Sequence, residues 1–180
     1  MLPENLWYRR ALTFSLVLAA ALTAQAQGKS QEKSVPILYS TDLYHPHEDP
    51  DDHYDLATLF ALPELDIRGI VIDMGEKGAG RPGVVPLRQM MHLTGRDVPV
   101  ATGLRENLLA PDDKALEQPA EAQAGVELIL KALHEATEPV TVFTTGSLRD
   151  VAAAYNREPH LMSEKVSRLM LGGRLFASGQ

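Results

Sequence analysis

Short apolar segments alternate with helical patterns along this chain, and this alternation constrains its fold more than any other feature. Five segments have the composition of buried strands, at residues 35–41, 67–73, 98–101, 140–144 and 168–171. Apolar residues recur at helical spacing in five others, at residues 53–62, 84–93, 120–136, 148–155 and 159–165. Since no hairpin signal joins two strands, the pattern predicts an α/β fold with a mostly parallel, Rossmann-like sheet and helices on both faces. Ligands bind such sheets at the carboxyl ends of the strands.

The carboxyl end of the first predicted strand carries an unusual density of charge. Between Asp42 and Asp55 the chain holds six carboxylates and three histidines. So many anions lie side by side only around a cation or in water. One interpretation is a hard-cation site, such as a Ca²⁺ site, built from carboxylates of this stretch (Asp42, Asp49, Asp51 and Asp52). The alternative is a solvated acidic loop in which Asp51 or Asp52 caps the following helix.

Two histidines in the same stretch, His45 and His47, offer a different kind of site. Histidines spaced by one residue after a strand can both bind one transition metal, which leaves a metal hydrolase open as a further alternative. Such a site needs more histidines at later strand ends, whereas His92, His134 and His160 fall in predicted helices or at their ends. The other interpretation is a loop in which His45 and His47 are surface residues.

Two further polar positions are expected at the same edge of the sheet. Asp73 ends the second predicted strand, and Thr145 follows the fourth in Thr-Thr-Gly-Ser. Thr145 could face a ligand, while Ser147 could simply cap the next helix. The glycines of residues 78–83 formally match a dinucleotide-binding pattern, but Pro82 interrupts the turn and favours a flexible loop instead.

The first 26 residues have the features of a secretory signal peptide. Arg9 and Arg10 precede an apolar run at 11–23, and Ala24 and Ala26 offer the small residues that a signal peptidase recognises. The run is short for a membrane span, so we expect no stable membrane insertion after cleavage; a retained anchor is the alternative. A linker at 27–34 and one domain at 35–180 would follow. The protein would then be exported to the periplasm or the extracellular medium.

The composition limits the classes of partner. With 44% hydrophobic and 23% charged residues, the chain resembles an ordinary soluble domain. It has no cysteine, so disulfides and thiolate metal sites are excluded. The net charge of −7 argues against nucleic acid, which requires a basic surface. We therefore expect a small-molecule ligand and leave a homo-oligomer open.

Taken in order, four segments of the chain resemble the inosine–uridine-type nucleoside hydrolases. That family opens with a strand, Asp-x-Asp-x-Gly-x-Asp-Asp and an apolar helix; here a strand, an acidic stretch ending in Asp51-Asp52 and a helix occur in the same order. Residues 98–103 (Val-Pro-Val-Ala-Thr-Gly) are similar to its third strand. Residues 140–152 resemble its strand–Thr-Gly-x-Leu-Thr-Asn–helix segment, and residues 168–173 resemble its strand ending in Met-Gly-Gly. The resemblance covers about residues 35–180 and implies the nucleoside hydrolase fold.

The resemblance also implies an activity, namely Ca²⁺-dependent hydrolysis of the N-glycosidic bond of ribonucleosides or related ribosyl compounds. It implies that Asp52 and the backbone carbonyl of Thr145 bind the Ca²⁺ ion. The acid that is both a ligand and the general base is Asp42 if most of residues 45–48 are an insertion, or Asp49 if the loop is realigned. We favour Asp42 because it ends the strand.

Other positions are assigned to the substrate by the same resemblance. Asp51 would hold a ribose hydroxyl, Leu171 stands where the family often has Met near the ribose, and Gln180 falls where a Gly-Asn pair precedes its sugar-binding segment. The chain departs from the family in lacking the motif glycine and in having Arg149-Asp150 for Thr-Asn. A His-Asp pair that completes the family's site would lie beyond Gln180, so we expect the N-terminal part of a longer enzyme. The alternative is a non-catalytic nucleoside- or sugar-binding protein of the same fold.

Overall fold

A computed structural model describes residues 34–43, 50–75 and 83–172 of the chain. The predicted signal peptide and nearly all of the predicted linker lie outside the described residues, as do His45, His47, Asp49 and Gln180. Within those three ranges, no helix has the length and apolar character needed to cross a membrane.

Five strands form one sheet in which every neighbouring pair is parallel. They are β1 (Val35–Thr41), β2 (Leu65–Ile72), β3 (Val100–Thr102), β4 (Val140–Thr144) and β5 (Val166–Leu171). Their order across the sheet is β3-β2-β1-β4-β5. The predicted α/β fold with a parallel sheet is therefore confirmed. Because β1 is central, Asp42 and Leu43, which directly follow it, lie in the middle of the carboxyl edge, where ligands bind.

The helices occupy the positions that the apolar spacing predicts. They are α1 (Asp51–Ala61), α2 (Val84–Thr94), α3 (Ala124–Glu135), α4 (Arg149–Arg157) and α5 (Pro159–Lys165). The helix expected at 120–136 is interrupted, because a 3₁₀ turn at Ala120–Ala122 closes with a bond from the Gln123 N–H to the Ala120 carbonyl oxygen. Gly95 ends α2 in the left-handed conformation, with φ of 67°.

The first helix begins two residues earlier than predicted. It starts at Asp51, directly after Pro50, and no side chain caps it. The expectation that Asp51 or Asp52 caps this helix is therefore wrong, since both lie within its first turn, where the helix dipole favours carboxylates. As a consequence, the Asp52 side chain is directed into the protein and only 6% of the residue is exposed.

Alternate residues of β1 pack on opposite faces of the sheet. Leu38 belongs to one core with α3 residues such as Leu133. Tyr39 belongs to the other core with α1 residues such as Leu56. Helices therefore cover both faces, and burying each such side chain stabilises the fold by roughly 1.5–3 kcal/mol.

Candidate functional site

Backbone hydrogen bonds beyond the strand ends join three strands at the carboxyl edge of the sheet. The Asp73 N–H, after β2, donates to the Thr41 carbonyl oxygen over 2.7 Å. The Thr145 N–H, after β4, donates to the Ser40 carbonyl oxygen over 2.9 Å. Both acceptors belong to β1, so Asp73 and Thr145 flank the end of the central strand, as the sequence predicts.

Gly146 allows these strand ends to approach closely. A Cβ atom at this position would lie 3.0 Å from the Asp42 nitrogen and 3.1 Å from the Asp73 Cβ. Asp42 is itself half-buried at the end of β1. The glycine of the Thr-Gly-Ser segment thus brings Asp42 and Asp73 beside the β4 loop.

The Asp52 carboxylate is buried at this edge between two hydroxyl groups. Its Oδ2 accepts a hydrogen bond from the Thr41 Oγ1 and a second one from the Thr145 Oγ1, over 3.0 Å. The Thr41 hydroxyl also accepts the Leu43 N–H over 3.2 Å. Donors from β1 and from the end of β4 offset the cost of burying a carboxylate on α1. The structure thus brings Asp52 and Thr145 together, as the resemblance implies.

A third hydroxyl extends this cluster into the core. The Tyr39 Oη lies 3.0 Å from the Thr145 Oγ1, and the Tyr39 ring stacks on Phe143 with centroids 5.3 Å apart. Burial raises the pKa of Tyr39 well above its ordinary value. The sequence analysis missed both Tyr39 and Thr41. Their signal was that they place two hydroxyl groups on the same face of β1, near its carboxyl end.

The first turn of α1 presents further carboxylates around Asp52. Asp51 is exposed, and its Oδ1 accepts the Asp52 N–H over 3.0 Å. The pKa of Asp55 is raised by partial burial and by the negative charges of Asp52 and Asp51. The exposed Asp51 is thus placed where it could bind a polar ligand above the edge.

Asp73 is held at the same edge by donors from the β4–α4 connection. It is 4% exposed, forms an ion pair with Arg149, and accepts the Ser147 N–H at Oδ2 over 2.7 Å. Arg149 also donates from Nη1 to the Arg105 carbonyl oxygen over 3.0 Å. Both Asp73 oxygens therefore have protein donors, and Asp73 and Arg149 together link the loops that follow β2, β3 and β4. A direct part for Asp73 in binding a ligand stays a prediction.

A third buried carboxylate, Asp150, lies in α4. Its Oδ1 accepts the Leu104 N–H over 3.0 Å, and its Oδ2 has no hydrogen-bond partner among the residues that the structure describes. Burial raises the pKa of Asp150 to about 6. Glycines make room for it: a Cβ on Gly103 would lie 2.6 Å from its Cγ, and one on Gly125 would lie 2.6 Å from its Oδ1.

The remaining predicted residues lie at the margin of the site or outside the description. Leu171 ends β5 opposite Thr144, with 46% of its surface exposed. The positions of His45, His47, Asp49 and Gln180 are not described, so their predicted roles stay predictions.

The chemistry of the donor set suits a hard cation. Asp42, Asp52 and the Thr145 carbonyl would all offer oxygen atoms, the ligands that Ca²⁺ prefers. Within the described ranges, no group of three or more His, Cys, Asp or Glu residues is arranged to hold a metal ion. An oxygen-ligand site that used these described residues would therefore need further donors to complete it.

Comparisons with known proteins identify the family that the sequence matches. The sequence model of a family described as inosine-uridine preferring nucleoside hydrolase matches residues 40–180. The pyrimidine-specific ribonucleoside hydrolase RihA of Escherichia coli O127:H6 is 33% identical over 162 residues, which is 81% of this chain and 50% of that protein. The chain therefore spans about half the length of the curated relatives it matches.

Solved structures show the same fold. The inosine-uridine preferring nucleoside hydrolase from Bacillus anthracis aligns with a TM-score of 0.59 at 18% identity, over 81% of this chain and 52% of that chain. The type III effector protein XopQ, solved in complex with adenosine diphosphate ribose, aligns with a TM-score of 0.57 at 18% identity, over 90% of this chain and 50% of that chain. At these identities the likeness is one of fold alone.

Proposed function

Because the chain belongs to the inosine-uridine preferring nucleoside hydrolase family, we propose that the whole protein hydrolyses the N-glycosidic bond of ribonucleosides or related ribosyl compounds. One observation carries this proposal: the buried Asp52 carboxylate, held by the hydroxyls of Thr41 and Thr145 at the carboxyl edge of the sheet. A carboxylate kept in a fixed position at the ligand-binding edge is suited to binding a cation and the sugar around it.

Each acidic residue would take a different part in the reaction. Asp42, at the end of β1, would accept the proton of the attacking water. Asp51, exposed in the first turn of α1, would hold a ribose hydroxyl. Water would add to the anomeric carbon as the N-glycosidic bond breaks, and the departing nucleobase would take up a proton. The sugar would become positively charged on the way. The neighbouring carboxylates would stabilise that charge.

The proposed cation is Ca²⁺, held by Asp42, Asp52 and the Thr145 carbonyl oxygen. When bound, Ca²⁺ supplies positive charge that orients the ribose hydroxyls and acidifies the attacking water. A calcium site uses roughly 6–8 oxygens, so the remaining donors would come from the substrate, water and residues outside the described ranges.

The substrate is proposed as a class rather than as one compound. The name of RihA specifies pyrimidine ribonucleosides, which makes uridine and cytidine the first compounds to test. The adenosine diphosphate ribose bound by XopQ, in which one ribose carries adenine and the other has a free anomeric hydroxyl, extends the class to larger ribosyl compounds. Export by the signal peptide at residues 1–26 is also proposed, and it would place the enzyme in the periplasm or the extracellular medium.

The first test uses the full-length protein and p-nitrophenyl riboside. Asp52→Ala should lower kcat/KM at least about 1,000-fold, equal to about 4 kcal/mol of transition-state stabilisation. The matched control is Asp97→Ala, since Asp97 is exposed and precedes β3 at the opposite edge of the sheet. Calcium binding, measured by calorimetry, should be lost in Asp52→Ala and retained in the control.

Three results would contradict the proposal. Undiminished hydrolysis by Asp52→Ala would remove Asp52 from the reaction. Activity that requires Zn²⁺ and is abolished by His47→Ala would identify a different metal hydrolase. A wild-type protein that binds nucleosides without cleaving them would be a binding protein of the same fold.

A further inference from the structure

Three hydroxyl-bearing residues, two in β1 and one directly after β4, surround the Asp52 carboxylate. Two of them contact its Oδ2, and the third is one hydrogen bond further away. The Thr41 and Thr145 hydroxyls both contact the Asp52 Oδ2, and the Tyr39 hydroxyl contacts the Thr145 Oγ1 over 3.0 Å. Tyr39 lies 106 residues from Thr145 in the chain, so the arrangement exists only in the folded protein. None of the roles assigned so far uses Tyr39.

Counting hydrogen atoms fixes the direction of these bonds. An ionised carboxylate only accepts hydrogen bonds, so Thr145 must donate its single hydroxyl hydrogen to Asp52. The Thr145 Oγ1 then has only lone pairs to offer Tyr39, and the Tyr39 hydroxyl must be the donor. The bonds therefore run from Tyr39 to Thr145 and from Thr145 to Asp52.

Tyr39 is itself held in place on every side. Its backbone lies in the central strand, in register with Ile70 of β2 and Phe143 of β4. Its ring stacks on the Phe143 ring at an interplanar angle of 18°, and only 1% of the residue is exposed. A donor on so rigid a support fixes the rotamer of the Thr145 side chain, and through it one side of the Asp52 carboxylate.

We propose that Tyr39 is a positioning residue for the reaction: its hydroxyl orients Thr145, which in turn fixes the Asp52 carboxylate for cation binding. The inference rests on the proposed function, because it gives Asp52 and Thr145 their roles at the cation. With both hydroxyl donors at Oδ2, the carboxylate presents Oδ1 to the ligand. Outer residues of this kind typically change metal affinity or activity by about 10–100-fold when they are removed.

The alternative is that Tyr39 is only a core residue, and that its hydrogen bond with Thr145 has no effect on the Asp52 carboxylate. Tyr39→Phe separates the two, because it keeps the ring and its stacking on Phe143 and removes one oxygen. A purely structural role predicts unchanged calcium affinity in a folded Tyr39→Phe protein. A positioning role predicts weaker calcium binding with the fold intact.

The experiment compares wild type, Tyr39→Phe and Tyr155→Phe in the full-length protein. Tyr155 is 51% exposed on α4 and serves as the matched loss of a phenol hydroxyl. Calorimetry with Ca²⁺ should show a dissociation constant about 10-fold higher for Tyr39→Phe and unchanged for Tyr155→Phe. With p-nitrophenyl riboside at limiting Ca²⁺, kcat/KM of Tyr39→Phe should fall by a similar factor, and saturating Ca²⁺ should restore most of it.

The outcomes distinguish this inference from the proposed function. Equal calcium affinity and equal kcat/KM in wild type and Tyr39→Phe overturn the inference and leave the proposed function standing. A wild-type protein that neither binds Ca²⁺ nor cleaves ribosides overturns both. If Tyr39→Phe fails to fold, Thr145→Val removes the acceptor through which Tyr39 acts and keeps the Thr145 carbonyl; unchanged calcium affinity in that variant also overturns the inference.

Discussion

Asp52 and Asp150 occupy equivalent positions and differ in what surrounds them. Each is the second residue of a helix that follows a strand in the chain, and each is buried, with 6% and 1% of its surface exposed. The Asp52 carboxylate accepts bonds from two hydroxyls. Asp150 accepts one backbone N–H at Oδ1, and among the described residues nothing donates to its Oδ2.

The difference shows that burial does not by itself identify a functional carboxylate. The cost of burying a charge is offset by the donors that contact it. Asp52 has such donors and lies at the edge where parallel sheets bind ligands, whereas Asp150 lies in a space made by Gly103 and Gly125. We therefore expect removal of the Asp52 charge to affect activity, and removal of the Asp150 charge to affect stability and its pH dependence.

The largest expected effect is on activity, and it comes from replacing the Asp52 carboxylate by an amide. The same replacement at Asp150 is the comparison. Asp52→Asn should reduce kcat/KM for p-nitrophenyl riboside about 1,000-fold, or about 4 kcal/mol, because an amide cannot replace a charged cation ligand. Asp150→Asn should retain the wild-type rate at pH 8. Steady-state kinetics on the two full-length variants measures the contrast. Similar losses of rate in both variants would show that the two acids do not have separate roles.

The second effect is a pH dependence of stability that comes from the buried Asp150 carboxyl. Burial raises its pKa to about 6 from an ordinary value of 3.8, so the folded state holds this proton more tightly than the unfolded state does. The stabilising contribution of the protonated form is complete below pH 3.8 and is lost as the pH rises towards 6. Above pH 6 the ionised group costs about 3 kcal/mol.

Urea unfolding of wild type and Asp150→Asn at pH 4 and pH 8 tests this sign. Between pH 4 and pH 8 the difference in unfolding free energy between variant and wild type should shift by about 2 kcal/mol in favour of the variant, because the unfolded wild type is already partly ionised at pH 4. Asp97→Asn, at an exposed position, should show no such shift. A difference that is independent of pH would mean that Asp150 titrates in its ordinary range.

The third effect concerns the glycines around Asp150. Gly103→Ala would place a methyl group against the Asp150 carboxylate, 2.6 Å from its Cγ, and should lower the unfolding free energy by about 2–3 kcal/mol through overpacking. In the double variant Gly103→Ala/Asp150→Ala the new methyl has space. A double-mutant cycle in urea should therefore give a favourable coupling of at least about 1 kcal/mol. Strictly additive losses would show that the clash is relieved elsewhere.

The fold was largely predictable from the sequence because its signal is local. Apolar runs of strand length alternate with helical spacing, and β4 and α5 have the predicted bounds. The errors at the starts of α1 and α3 arise from local turn conformations, which the spacing of apolar residues does not indicate. The 3₁₀ turn before α3 and the start of α1 at Asp51, two residues early, are both of this kind.

The site was predictable only in part, because its contacts join distant segments. Asp52 and Thr145 follow from their places after strands and from the family resemblance. The contacts of Tyr39 with Thr145, and of Arg149 with Asp73, span 106 and 76 residues, and no local pattern pairs them. Asp150 was noticed only as a departure from the Thr-Asn of the family, and its burial follows from glycines far away in the chain.

The smallest expected effect is on stability and concerns a hydroxyl that contacts Asp52. It is measured by comparing two buried threonines at strand ends. Thr41 and Thr144 are 0% and 1% exposed. The Thr41 hydroxyl donates to the Asp52 carboxylate, whereas the Thr144 hydroxyl donates to the Gly146 carbonyl oxygen over a weak 3.5 Å.

Thr→Val keeps the shape of each side chain and removes only the hydroxyl. Since hydrogen bonds to charged groups contribute more than neutral ones, Thr41→Val should lower the unfolding free energy by about 1.5 kcal/mol and Thr144→Val by under about 0.5 kcal/mol. Urea unfolding of the metal-free proteins at pH 7 measures both, and equal losses would mean that the hydroxyl at Asp52 contributes no more than an ordinary neutral hydrogen bond.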